Sequence, residues 1–229
     1  MRVRSVVVLA VAVLLSLSSS PLGARSGQWM IPGDFASIQD AIDSAMVQDG
    51  DSILVGPGDF DGALVSKAVD IRGIGGATID NGPLHLQGLV QGFLLMAGSD
   101  GASISHFTFT TDLSIMNGDG VDNVSVTQNR FIGSIQAVSN WRGSGWIISH
   151  NVIADLRSRC GGGIGILVAD FSGGTVQSNV VSHNTVQGTL YVDSGDCGGY
   201  SGSGIVLFAD FRPGRLGADD LSYNHVVKN

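Results

Sequence analysis

The chain repeats itself. The stretch VSVTQNRFI at residues 124–132 aligns with WIISHNVIA at 146–154, and both align with GTVQSNVVS at 174–182 and DDLSYNHVV at 219–227. ASISHFTFT at 102–110 joins them, with Phe107 in the place of the asparagine. The anchors are Phe107, Asn129, Asn151, Asn179 and Asn224, spaced 22, 22, 28 and 45 residues apart. Asn184 is a second candidate anchor inside the last gap, which holds either one coil with a long loop or two coils. A repeat of this length with two or three short strands per unit predicts a parallel β-solenoid. Its strands stack about 4.8 Å apart from coil to coil. Asparagine suits the recurring bend because its amide can hydrogen-bond its counterparts above and below, and because it tolerates left-handed backbone. A leucine-rich repeat has a similar period, but its Leu and Asn pattern is missing.

Ahead of the repeats the pattern differs. Met1 to Arg4 is a basic start, VVVLAVAVLLSL at 6–17 is an apolar run, and Ala24 closes a stretch of small residues. That is the layout of a signal peptide, too short to cross a bilayer comfortably, so residues 1–24 read as an export signal. The expected location is secreted, cell-surface or periplasmic, with no membrane span once the signal is removed. Residues 25–50 form an N-terminal segment. Within it Ile38, Ala41, Ile42 and Ala45 fall at helical spacing, predicting an amphipathic helix over 37–48 capped by Ser37 or Asp34 and ended by Gly50. Residues 51–229 hold short strands broken by Gly, Asn, Asp and Ser.

Charge narrows the partner. With 12 Lys and Arg against 20 Asp and Glu the chain carries −8, and loss of Arg2 and Arg4 makes the mature protein still more acidic. A nucleic-acid partner needs a cationic footprint, and none is visible.

The segment SIQDAIDSAMVQDGDSILVGPGDFDGALVSKAVDIRGIGGATID at 37–80 resembles the entry segment of right-handed parallel β-helix proteins of the pectin-lyase-like superfamily. The resemblance implies an all-β fold, a right-handed parallel β-helix whose open end is covered by an N-terminal capping α-helix. It extends over nearly all the mature chain. In such a coil, SRCGGGIGILVADF at 158–171 and GDCGGYSGSGIVLFADF at 195–211 are the same face of successive turns. Matching their Ala-Asp-Phe ends, with residues 138–142 in the preceding coil, stacks Asn140, Asp170 and Asp210 at one corner. Trp141, Phe171 and Phe211 follow at the next position. Cys160 and Cys197 precede equivalent strands and, if those coils are neighbours, lie close enough to form a disulfide. Closing that loop would contribute roughly 3–4 kcal/mol; two free thiols are the alternative.

These stacks carry the functional expectations. Trp141, Phe171 and Phe211, with Arg142 and Arg212 beside them, could form a platform for sugar rings, or an aromatic ladder that only packs. Asn140, Asp170 and Asp210 could hold Ca²⁺, which takes several oxygens, or could cap turns. The resemblance implies polysaccharide as partner and lyase chemistry: an Arg or Lys base removes a proton beside a uronate carboxylate while a cation neutralises the acid. Arg157 and Arg159, with Asp155 nearby, are the candidates in this chain, and His150 is an alternative base. The pattern departs from the family elsewhere: Asp219-Asp220 is followed by neither Gly-His-Gly nor Arg-Ile-Lys, and the lyase Trp-Asp-His motif is absent. The expectation is a secreted β-helix that binds, and in the lyase-like case cleaves, an extended polysaccharide. The alternatives are a non-catalytic surface or adhesive β-helix, and a truncated subunit that stacks on a partner or itself through an uncapped C-terminal coil.

Overall fold

The computed structural model describes residues 26–118, 120–159, 162–170, 174–192, 202–209 and 219–229. The described chain is almost entirely β. Sheet A takes the strands Gln28–Ile31, Ser52–Val55, Asp70–Gly73, Ser103–Ser105, Ser125–Thr127, Ile147–Ser149, Val180–Ser182 and His225–Val227, in that order. Sheet B takes Gly58–Asp61, Ala77–Asn81, Thr108–Phe109, Arg130–Ile132, Val152–Ala154 and Thr185–Gln187. Sheet C takes Ala63–Val65, Gln91–Leu95, Leu113–Asn117, Gln136–Trp141, Gly163–Asp170 and Gly202–Ala209. Neighbours in all three sheets are parallel, and the chain visits A, B and C in turn before returning one step further along. This is compatible with a parallel β-helix. Two short pairs, Arg157–Ser158 with Tyr191–Val192 and Gly174–Thr175 with Asp219–Asp220, extend the later coils.

One apolar core lies between the sheets. Ile71, Ile104, Val126 and Ile148 enter it from sheet A, Ile79, Phe109, Phe131 and Ile153 from sheet B, and Phe93, Ile115, Val138 and Ile166 from sheet C. Registered strands place like residues over like. Phe109 therefore stacks on Phe131, with ring centroids 5.0 Å apart and 12° between planes.

The corners need a different device, because a turning backbone leaves N–H groups that no strand can accept. At the A-to-B corner, the backbone N–H groups of Phe107, Asn129, Asn151 and Asn184 donate to the side-chain Oδ1 of Asn129, Asn151, Asn184 and Asn229 respectively, each at 3.0 Å. Each of these amides in turn donates Nδ2–H to a sheet A carbonyl, as Asn151 does to Val126 at 2.9 Å. A second ladder stands at the other end of sheet A. Trp146 N–H donates to Asn179 Oδ1 at 2.8 Å, and Asn179 N–H to Asn224 Oδ1 at 3.0 Å.

Two ladders correct the single-anchor alignment. Asn179 and Asn224 precede sheet A strands, whereas Asn129 and Asn151 precede sheet B strands; their true successors are Asn184 and Asn229. The stretches Asn179 to Asn184 and Asn224 to Asn229 carry an asparagine at both ends, so a slip of one corner aligns almost as well. The strand Val180–Ser182 pairs directly with His225–Val227, so one coil spans the last gap. The left-handed residue also differs from expectation. It is the one before each anchor, Phe107 included: His106, Gln128, His150, His183 and Lys228 all have φ between 55° and 65°. His150 and His183 stack their rings there, 4.9 Å apart and 7° from parallel.

At the N-terminal end the expected helix is shorter than its apolar spacing implies. It covers Ile38–Asp43, with Ser37 Oγ accepting from Asp40 N–H at 3.1 Å. Ser44 ends it in extended conformation, and its hydroxyl accepts from Met46 N–H. Asp34 does not cap this helix; its carboxylate accepts from Met30 N–H. Ile38, Ala41 and Ile42 enter the core. Gln39 uses its amide as a false strand: Oε1 accepts from Leu64 N–H at 2.8 Å and Nε2 donates to Leu64 O at 3.4 Å. That blunts the outer edge of the first strand of sheet C, Ala63–Val65.

Asp51 ties the entry segment down. It accepts from Trp29 Nε1 and Gln48 N–H, both at 2.9 Å, and from Gly27 N–H at 2.5 Å. The Trp29 bond, then the Gln48 amide, with help from Gly27 and the charge of Lys67, hold its carboxyl below the usual range against the opposing effect of burial.

Two predictions follow from these contacts. Asn151→Ala orphans buried partners on both sides and should cost about 2–4 kcal/mol in urea unfolding, whereas Asn229→Ala, at an exposed rung, should cost under about 1 kcal/mol. A depressed carboxyl stabilises the fold above its unfolded pKa near 4, and that contribution is lost as pH falls through the lower folded value. The urea midpoint should therefore fall on acidification below about pH 4, and Asp51→Asn should start lower at pH 7 with a flatter acid slope.

Candidate functional site

A groove of about 750 Å³ lies over the outer face of sheet C. Its floor is apolar but separate from the core: Leu89, Leu113 and Ile135 are buried together, with Met116 packed on them. One wall is a hairpin inserted between sheets B and C in the second coil. His85 N–H donates to Leu89 O and Gly88 N–H to His85 O, both at 2.8 Å, and Gln91 N–H closes the base on Pro83 O. Gly88 takes φ +72°, which the tight return requires. Leu84 and Leu86 stand at its tip, 71% and 101% exposed.

The opposite end is built from three expected site residues. Trp141, Arg142 and Arg159 all line the groove. Trp141 is held by the coil before it: its N–H donates to Asn117 Oδ1 at 2.6 Å and its carbonyl accepts from Asn117 Nδ2 at 2.7 Å. Arg142 is held by the coil after it. It takes a left-handed φ of 63°, its N–H donates to Ala169 O at 2.8 Å, and its Nε lies 3.8 Å from the buried Asp170 carboxylate. The polar lining is completed by amides and an imidazole: Gln87, Gln91, Asn117, Gln136 and His85. No carboxylate lines the groove among the described residues. In a chain of net charge −8 this is a local reversal of sign.

The other expected residues sit elsewhere. Arg157 is a strut. Its Nε–H donates to Gly133 O at 2.5 Å and its guanidinium pairs with Asp112, whose second oxygen accepts from Val90 N–H at 2.8 Å. It staples three coils behind the groove. Asp155 accepts from Thr189 N–H at 2.9 Å and joins two coils at the far corner. Of the trio Asp155, Arg157 and Arg159, only Arg159 reaches the groove. Arg159 lies beyond the strand Arg157–Ser158, so the shared face that an i, i+2 spacing gives within one extended strand does not carry over to this pair.

The acidic corner is out of register. Asn140 pairs with Val168, not Asp170, and Asp170 pairs with Ala209. The shared Gly-x-Gly-Ile segments set the pairing, Gly163 to Gly202 and Ile166 to Ile205. The second copy has one extra residue before Ala-Asp-Phe, so those ends do not align. Asn140 closes a turn instead, accepting from Gly143 N–H at 2.8 Å and donating to Gly143 O at 2.9 Å. The described residues hold no cluster of three or more metal-ligating groups. Asp210, Phe171, Phe211, Arg212, Cys160 and Cys197 lie outside the described residues, and with them the expected disulfide.

The aromatic successor to Trp141 is Phe208, not Phe211: Trp141 pairs with Ala169, and Ala169 with Phe208. Two strand spacings separate them, about 9.6 Å. Sequence reading also passed over the hairpin and Asn117. The signal for the hairpin was the long gap between Asp80-Asn81-Gly82 and the next apolar run.

Among known proteins, the chain matches no family model, no curated protein and no solved structure. The class that fold and groove define is an all-β protein of stacked parallel sheets with a lateral, carboxylate-poor groove in its described part.

Arg157 and Arg159 make opposite predictions. Arg157→Met should lower stability by about 1–2 kcal/mol, because it strands Asp112 and Gly133 O in a half-exposed setting. Arg159→Met should stay within about 0.5 kcal/mol of wild type. Thermal unfolding of the two variants side by side checks this.

Proposed function

We propose that this chain is an exported right-handed parallel β-helix of the pectin-lyase-like kind that binds an extended acidic polysaccharide in the sheet C groove. Right-handedness is the rule for parallel strands joined by crossovers. The observation that carries the binding proposal is the convergence of Trp141, Arg142 and Arg159 on one groove. An indole offers a flat apolar face to the flat face of a pyranose ring. Two guanidiniums offer paired donors to carboxylates. Gln87, Gln91, Asn117 and Gln136 offer amides to hydroxyls, the mix expected of a pocket that orients a polar ligand. The strands of sheet C run within their coils and stack side by side from one coil to the next, so a chain-like ligand can lie along the stack, across the strands.

A second reading, lyase-type cleavage, is favoured by one observation. His85 and Arg159 line the same groove, a titratable base candidate and a fixed cation. Elimination needs a base at the sugar C5 proton and positive charge on the adjacent carboxylate. A glycosidase needs a carboxyl pair, which the described lining does not supply.

The test incubates the mature protein with acidic and neutral polysaccharides, with and without Ca²⁺, and follows retention, ultraviolet absorbance of unsaturated uronates, and reducing ends. Binding to acidic members is expected, weakened by salt. Trp141→Ala should raise Kd at least about tenfold, or 1.4 kcal/mol. Arg159→Ala should raise it less and flatten the salt dependence. Tight binding to neutral glycans only, indifferent to Arg159, would overturn the proposal. Absorbance that vanishes in His85→Ala would support the lyase reading; binding with no new ends under any condition would reject it.

A further inference from the structure

The groove has a second apolar surface that an unmodified acidic glycan leaves unused. Trp141 meets the one apolar face of a sugar ring. Leu84 and Leu86, 71% and 101% exposed, form a lip on the hairpin wall of the same groove. They are not a fraying loop. The hairpin is closed by three backbone bonds, two of which form the antiparallel bridge from Leu84 to Val90, and Leu89 pins it to Leu113 and Ile135. Two large apolar side chains are thus presented to water by a closed hairpin beside the groove. Exposed apolar surface of this kind marks a contact.

What meets the lip must be apolar and must sit on a sugar edge, where hydroxyls normally are. An edge becomes apolar when its hydroxyls are esterified. Esterifying the carboxylates instead would remove the charge that Arg142 and Arg159 read. We infer that the ligand of the groove is an O-acylated acidic polysaccharide, its carboxylates free at Arg142 and Arg159 and its acyl groups covered by Leu84 and Leu86. The inference rests on the glycan reading above and narrows it to a substrate class.

The experiment uses the mature protein and two probes, O-acetylated alginate and O-acetylated homogalacturonan, each before and after mild alkaline removal of the esters. Binding is measured by calorimetry for wild type, for Arg159→Ala and for the double variant Leu84→Ser, Leu86→Ser. Both leucines are exposed, so the double variant should keep the wild-type melting temperature, which is checked first. Wild type should bind at least one acetylated probe about tenfold tighter than its de-esterified form. The double variant should lose that preference and keep the wild-type affinity for the de-esterified form. Equal binding of both forms by wild type, still weakened by Arg159→Ala, overturns the acyl inference and leaves the glycan reading intact. A preference that survives in the double variant also overturns it. No binding to either form of either probe overturns both.

Discussion

The hydrogen bond from a backbone N–H to an asparagine Oδ1 in the next coil is the contact on which the rest depends. A stack of parallel strands is satisfied along each face by its ladders, but at a corner the chain must leave one sheet before entering the next. There the polar backbone is buried and has no strand to pair with. Asn129, Asn151 and Asn184, each at most 2% exposed, fill this gap from inside. Each accepts from the coil on one side and donates a second bond into sheet A. Because every rung is both donor and acceptor, the ladder couples neighbouring coils and sets their register. An aliphatic residue at the same point would leave buried donors and acceptors open, which costs more than the net gain of a single bond.

The ladder also explains the strain beside it. To aim the asparagine inward, the preceding residue takes a left-handed conformation, which costs a non-glycine side chain free energy. Histidine, glutamine and lysine occupy these positions rather than glycine. Their side chains project to the outside of the corner, where His150 and His183 stack. The cost per coil is met by the two or more hydrogen bonds that each asparagine makes. The same logic closes the entry end, where Gln39 supplies side-chain amide groups to a strand edge that lacks a neighbour.

The groove arises from irregularity laid over this regular frame. Coils of even length would give three flat faces. An insertion between sheets B and C in the second coil raises a wall over sheet C, and the left-handed Arg142 turns the chain out at the other end. Between them lies an apolar floor outside the core. The residues that shape the groove are therefore fixed by three successive coils at once: Asn117 holds the Trp141 backbone, Asp170 sits against Arg142, and Arg157 ties Asp112 and Gly133 behind the floor. The groove proposed to bind ligand thus lies where the repeat is broken.

Much of the fold was legible in the chain itself. The 22-residue spacing of Phe107, Asn129 and Asn151, the alternation of Ile, Val and Phe in short runs, and Ser37 before Ile38 are local patterns, and local patterns determine strands, turns and caps through side-chain period and backbone preference. They did not bring Trp141, Arg142 and Arg159 to one groove; the strand Gln136–Trp141 and the coil after it do that. Register was decided only by the tertiary structure. The Ala-Asp-Phe ends look equivalent, yet Gly163 pairs with Gly202 and shifts them by one residue, and one residue reverses which side of a sheet a side chain faces. Arg157 and Arg159 are indistinguishable in the chain, while the fold pairs one with Asp112 and turns the other to the groove. Sequence spacing measures distance along the chain. Which groups meet across coils depends on the sum of all insertions between them, and that sum is fixed only when the ladders and the core close together.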